Sequence, residues 1–172
     1  MTHGALAHDG PGAPWVTVQS VAAIPLKTPL STGYAITRRI APVQQKAAGR
    51  WSVGDIARVT LDIDAQSDMT WVVVSDPVPT GASILGRGFG TESTIATTSE
   101  QRSGWSWPAF EERTASDFRA YYRYLPKGKI SVEYTVRLNN AGRVGLPGTR
   151  AEAMYAPEMF GEFPAPAWSV QP

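Results

Sequence analysis

The sequence contains no cysteine in its 172 residues. Disulfides, thiolate metal sites and a cysteine nucleophile are therefore excluded. Histidine is almost as scarce: only His3 and His8 occur, both in the glycine-rich stretch before Pro14. A general base must be held within about 3 Å of the proton it removes, and a solvated leader does not fix a ring that closely. No Ser–His–Asp arrangement and no Cys/His zinc centre can be assembled from this inventory. Long apolar runs are missing too. Runs such as Trp71 to Val74 fall far short of the roughly 20 residues a membrane-spanning helix needs. Met1 to His8 has no basic start followed by an apolar stretch, so it does not read as a signal peptide. Neither sign of charge dominates: 16 Lys and Arg against 15 Asp and Glu give a net charge of +1, with no basic patch of the kind a nucleic-acid surface needs.

What is present points to one folded unit. A hydrophobic content of 42% and a charged content of 18% are ordinary for a globular chain. Short apolar segments alternate with turn signals from Trp15 onward, and no sustained helical period appears. The strongest segment is Lys129 to Leu138, where Ile130, Val132, Tyr134, Val136 and Leu138 share one face and Ser131, Glu133, Thr135 and Arg137 the other. That is a strand with one face in a core and one in water. Val59, Leu61 and Ile63 alternate with Thr60, Asp62 and Asp64 in the same way. Met69 to Val74 reads as a central strand stopped by Asp76-Pro-Val-Pro79, since proline cannot donate to a ladder. Val16 to Val18 and Tyr34 to Ile36 are weaker strands, and Leu146-Pro147 and Arg150 to Tyr155 supply the last ones. Around Phe118 two patterns compete. Phe118, Tyr121, Tyr122 and Leu125 fit a helix capped by Ser116, whereas Phe118, Ala120, Tyr122 and Tyr124 fit the inward face of a strand. The tyrosine content and Pro126 favour the strand. Several short strands at this spacing predict an all-β, antiparallel β-sandwich of the fibronectin or immunoglobulin kind.

Candidate chemistry is thin. Asp62 and Asp64 share a strand face and could in principle bind calcium, but no Asp-rich loop follows them. Glu111-Glu112-Arg113 reads as a solvated strand face with a local ion pair rather than a catalytic dyad. Gly86-Arg-Gly-Phe-Gly90 lacks both the Gly-x-Gly-x-x-Gly spacing and a following Gly-Lys-Ser/Thr, and reads as part of an extended loop from Gly86 to Gly104. The aromatic and arginine residues carry more information. Trp105, Trp107 and Phe110 follow that loop, and Arg119, Tyr121 and Arg123 line the outward face of a strand. Tryptophan, tyrosine and arginine are the residues that dominate interface energies. A plug at the end of the sandwich and a sugar-stacking platform are the other readings of the same residues.

Four segments, taken in order, resemble the C-terminal macroglobulin (MG10) domain of bacterial α2-macroglobulin-like proteins. They are Val53-Gly-Asp55 leading into Arg58-Val-Thr-Leu-Asp62; Trp71-Val-Val-Val-Ser-Asp-Pro-Val-Pro-Thr-Gly81; Leu125-Pro-Lys-Gly128 leading into Val132-Glu-Tyr-Thr-Val-Arg137; and Leu146-Pro-Gly-Thr-Arg-Ala-Glu-Ala-Met-Tyr-Ala-Pro157. The resemblance covers residues 34–163, and Pro14 to Leu26 looks like the last strand of the CUB-like domain that precedes MG10 in that family. It implies a fragment of a larger periplasmic protease trap, anchored to the membrane only by a lipid outside this chain. In such proteins a helical neighbour carries a thioester built from Cys-x-x-Gln, and cleavage of a bait segment exposes it to capture the protease. A Met-Tyr pair of the C-terminal domain covers that bond before activation, and Met154-Tyr155 matches the pair.

The resulting expectation is a non-catalytic domain without cofactor or metal, organised as a flexible leader (1–13), a CUB-like strand and linker (14–30) and a macroglobulin sandwich (31–172). Its partners are the thioester-type and CUB-like domains of the same protein, with captured proteases engaged indirectly. The alternative is a carbohydrate-binding or adhesive module that uses Trp105, Trp107 and Tyr121.

Overall fold

The computed structural model describes residues 7–13, 15–22, 25–86, 100–104 and 106–172, and the regular structure among them is entirely β. Two main sheets form the sandwich. The first is ordered β1 (Leu30–Thr32), β13 (Ala156–Phe163), β12 (Thr149–Ala153), β5 (Met69–Pro77), β9 (Asp117–Leu125) and β8 (Phe110–Arg113). The second is ordered β2 (Tyr34–Gln44), β4 (Ile56–Ala65), β10 (Gly128–Arg137) and β6 (Ser83–Ile84), with β7 (Arg102–Ser103) also on β10. A small third sheet at one end joins β11 (Gly142–Val144), β14 (Trp168–Gln171) and β3 (Trp51–Ser52), with β14 and β3 parallel.

The alternating strands bury the side chains their pattern assigns inward. Val59, Leu61 and Ile63 of β4 and Ile130, Val132, Tyr134 and Val136 of β10 all lie in the core. They meet Val72, Val74, Phe118, Ala120, Tyr122 and Ala151 of the opposite sheet. Across the gap the Phe118 and Tyr134 rings stack, with centroids 4.5 Å apart and planes at 14°. The strand reading of 117–125 therefore holds. Ser116 does not cap a helix; the Thr114 hydroxyl accepts from the Ser116 and Asp117 amides and turns β8 into β9.

The core contains one charged cluster. Asp76 on β5 is fully buried, and the Nε of Arg38 on β2 donates to both of its oxygens at 2.9 Å. Tyr134 and Thr149 also donate their hydroxyls to this carboxylate. One carboxylate thus collects donors from two strands of the opposite sheet and one of its own. Burial, reinforced by the Asp76 charge, holds the Tyr134 phenol well above its ordinary pKa, so it remains a neutral donor.

Several local expectations are corrected. Val16 to Val18 is not a strand: residues 15–22 are exposed and have no ladder partner, so extended apolar residues there find no sheet to join. Leu146-Pro147 is irregular, because Pro147 lacks an amide hydrogen and lies between Gly145 and Gly148. The strand from Arg150 ends at Ala153, and Met154 and Tyr155 form a turn. Tyr34 to Ile36 is only the start of an 11-residue strand. Tyr124 faces out rather than in. Within the 86–104 segment, Arg102 and Ser103 pair with β10, while Gly88, Phe89 and Gly90 lie outside the described residues.

The sandwich closes where β13 crosses β2. A Cβ on Gly161 would clash with the Tyr34 carbonyl oxygen and lie 2.9 Å from its carbonyl carbon and 3.0 Å from its Cβ. Backbone cannot retreat as a flexible side chain can. Gly161→Ala is expected to destabilise the chain by about 1–3 kcal/mol, read as a lower urea midpoint at unchanged m-value. An unchanged midpoint would show that this crossing has slack.

Candidate functional site

The β12–β13 hairpin is closed by the pair Ala153 and Ala156, leaving Met154 and Tyr155 as its two-residue turn. Neither residue has a positive φ, so the turn is not one of the primed types that match strand twist. The mismatch is absorbed by a register shift between Glu152 and Ala153. Because both residues sit in the turn, both project: Met154 is 50% and Tyr155 81% exposed. An apolar tip left in water gains from being covered.

Trp71, on neighbouring β5, supports this tip. Its carbonyl accepts the Met154 amide at 2.8 Å, and its indole meets the Tyr155 ring edge-on at 6.4 Å and 87°. Trp71 has φ 56°, the left-handed region, which a bulky side chain rarely adopts and which costs of order 1–3 kcal/mol. The strain coincides with a slip in the alternation. Val72 and its partner Tyr122 are buried, yet Thr70, Trp71, Arg123 and Tyr124 all face solvent before Leu125 is buried again. The slip is what turns Tyr124 outward.

Trp71, Ala109, Phe110, Tyr121, Arg123 and Met154 line a shallow groove of about 290 Å³ beside the tip. Phe110 is 63% exposed, and its ring lies 6.0 Å from that of Tyr121. A wider groove of about 990 Å³ continues over the same sheet face past Val73, Arg119, Arg150 and Glu152.

The structure thus gathers Met154, Tyr121 and Arg123 around one groove, and Arg119 joins Tyr121 and Met154 around the other. Arg119 and Tyr121 are both engaged by Glu112, at 3.4 and 3.1 Å. Trp107 is exposed but lines neither groove, and Trp105 lies outside the described residues. Three of the carboxylates are committed to arginines: Asp62 to Arg39 at 2.7 Å, Glu111 to Arg102 and Arg113, Glu112 to Arg119. Among the described residues no group of three or more His, Asp or Glu could hold a metal ion. Trp71 was not singled out by the sequence as a site residue, since only a backbone angle distinguishes it.

Residues 33–158 match the family model for the bacterial alpha-2-macroglobulin MG10 domain. The chain belongs to that family. An alpha-2-macroglobulin homolog from Nostoc sp. is 29% identical to the MG10 chain in an alignment of 141 positions that covers 75% of this chain and 7% of the relative. Among solved structures, Salmonella alpha-2-macroglobulin reacted with methylamine superposes with a TM-score of 0.68 at 21% identity, covering 85% of this chain and 10% of that one. Native Escherichia coli alpha-2-macroglobulin, from domain MG7 to the C-terminus, gives a TM-score of 0.65 at 18% identity, covering 86% and 25%. The MG10 chain therefore spans a small part of the length of each relative. Met154 and Tyr155 fall inside the matched region, near its end.

Proposed function

We propose that this MG10 domain is a non-catalytic cover that docks through Met154 and Tyr155 on a neighbouring thioester-type domain of a bacterial α2-macroglobulin-like protease inhibitor. The observation that carries this reading is the hairpin tip itself: a thioether and a phenol ring exposed side by side and braced from behind by Trp71. Such a tip can exclude water from a hydrolysable bond, because the ring supplies rigid apolar area and the methionine adapts to the surface beneath it. The reaction of the Salmonella relative with methylamine, a small nucleophile, supports a reactive acyl group in that protein, and by family membership a bond worth covering in this one. The same reading assigns the domain to a periplasmic trap whose other parts hold the bait segment, and gives residues 14–26 to the end of a CUB-like neighbour, with the linker running into β1 at Leu30. The exposure of Trp15, Val16, Val18 and Val21 fits a segment that becomes a strand only against the sheet of that neighbour.

The test is Met154→Ala with Tyr155→Ala in the full-length protein. Its neighbouring domain should react with methylamine at least tenfold faster or, if no Cys-x-x-Gln is present, be nicked correspondingly faster by a protease. The 172-residue chain carrying both changes should melt within a few degrees of the parent, because the two residues are exposed. Unaltered reaction and nicking would overturn the docking role.

A further inference from the structure

Resting on the docking role proposed above, we propose that Arg123 and Trp71 extend the Met154–Tyr155 tip into a clasp. The clasp takes an apolar segment of the neighbouring domain that presents a carboxylate. Arg123 is exposed at the rim of the groove formed by Trp71, Phe110, Tyr121 and Met154. Arg113, Arg119 and Arg150 of the same sheet each have carboxylate partners, at 2.8 Å from Glu100, 3.4 Å from Glu112 and 2.7 Å from Glu152. Arg123 has none among the described residues. A guanidinium left unmatched beside exposed aromatic rings is complementary to an acid that arrives with apolar surface.

Trp71 supplies the second, independent reason. Glycine would occupy its backbone angle without strain, and the indole contributes little to the core, since it is 48% exposed. A large aromatic held in an unfavourable conformation, at the surface and against Tyr155, indicates use outside the fold. The occupant is a domain of the same polypeptide rather than a free ligand. The groove is shallow and open, and the chain spans only 7% of its Nostoc relative and 10% of its Salmonella one, so most of such a protein lies beyond these residues.

The experiment compares Arg123→Glu, Arg123→Lys, Trp71→Gly and the Met154→Ala/Tyr155→Ala pair in the full-length protein, reading deuterium uptake across the neighbouring domain. Arg123→Glu should raise uptake at the contacted surface at least tenfold, Arg123→Lys by no more than threefold, and raised salt should reproduce part of the Glu effect. Trp71→Gly should raise uptake by a similar tenfold while the melting midpoint of the 172-residue chain stays level or rises. If Arg123→Glu and Trp71→Gly leave uptake unchanged while the Met154/Tyr155 pair raises it, the clasp is wrong and the docking tip survives. If none of the three moves it, both fall. A lower midpoint in the Trp71→Gly chain makes Trp71 a folding residue and overturns its part in the clasp.

Discussion

Asp76→Ala is expected to destabilise the chain by about 3–5 kcal/mol, because it strips the partner from a charge that stays buried. The Arg38 side chain is only 1% exposed, and its Nε bonds both Asp76 oxygens. Burial alone would lower the guanidinium's pKa; the Asp76 charge and the Tyr134 hydroxyl outweigh it, so Arg38 stays charged. Without Asp76 that charge, the Tyr134 hydroxyl and the Thr149 hydroxyl all lose their acceptor in a water-excluded space. The loss falls between the sheets, since Arg38 and Tyr134 belong to one and Asp76 and Thr149 to the other. Asp76→Asn should cost less, because an amide oxygen still accepts from a hydroxyl. The double variant Arg38→Met/Asp76→Leu should recover most of the stability, since apolar replacement of a whole buried pair is often neutral. Urea unfolding of the four chains measures all three differences. An Asp76→Ala midpoint within 1 kcal/mol of the parent would mean water reaches Arg38, and the cluster would not be the bolt between the sheets.

The cluster also marks where the sequence stops being readable. Strands whose inward positions are all apolar, such as Lys129 to Leu138, announce themselves through alternation alone. In β2 the inward positions are Tyr34, Ile36, Arg38 and Ile40, and a charge in the third place makes an 11-residue strand look three residues long. Its partner Asp76 stands before Pro77 and reads as a strand stop, yet β5 runs on through Pro77, with Asp76 paired to Phe118. Nothing local links the two, because they are 38 positions apart. The site shows the same division. The family resemblance singles out Met154 and Tyr155, yet nothing local marks their placement in a turn: Ala153 and Ala156 flank them, with no glycine or asparagine to signal a reversal. The slip at Trp71 depends on one backbone angle, and no residue type encodes it. The outward placement of Arg119, Tyr121 and Arg123 followed from alternation. Which arginine keeps a free guanidinium depended on where Glu112 falls on the adjacent strand.

Trp168→Ala carries the second large expected effect, about 3–5 kcal/mol, the range for deleting a buried tryptophan side chain. Only four residues, two of them apolar, form β14, and they follow Pro164 and Pro166, so the sequence offers almost no sign of a strand. Nevertheless Trp168 is 3% and Val170 6% exposed, and the Trp168 ring packs 5.5 Å from that of Trp51. The strand pairs with β11 on one side and β3 on the other, and the Gln171 carbonyl accepts the Val53 amide at 2.9 Å. Two distant segments therefore meet on this one tail, and the void left by alanine opens where they join. Trp168→Phe should cost less than half as much. The Trp168 Nε1 is buried with no hydrogen-bond partner among the described residues, so losing that unsatisfied donor offsets part of the lost volume. Trp107→Ala, at a position 69% exposed, should shift stability by no more than about 0.5 kcal/mol. Thermal unfolding of the three variants decides it. A Trp168→Ala chain as stable as Trp107→Ala would place β14 outside the cooperative unit, as a tail resting on the sandwich rather than closing it.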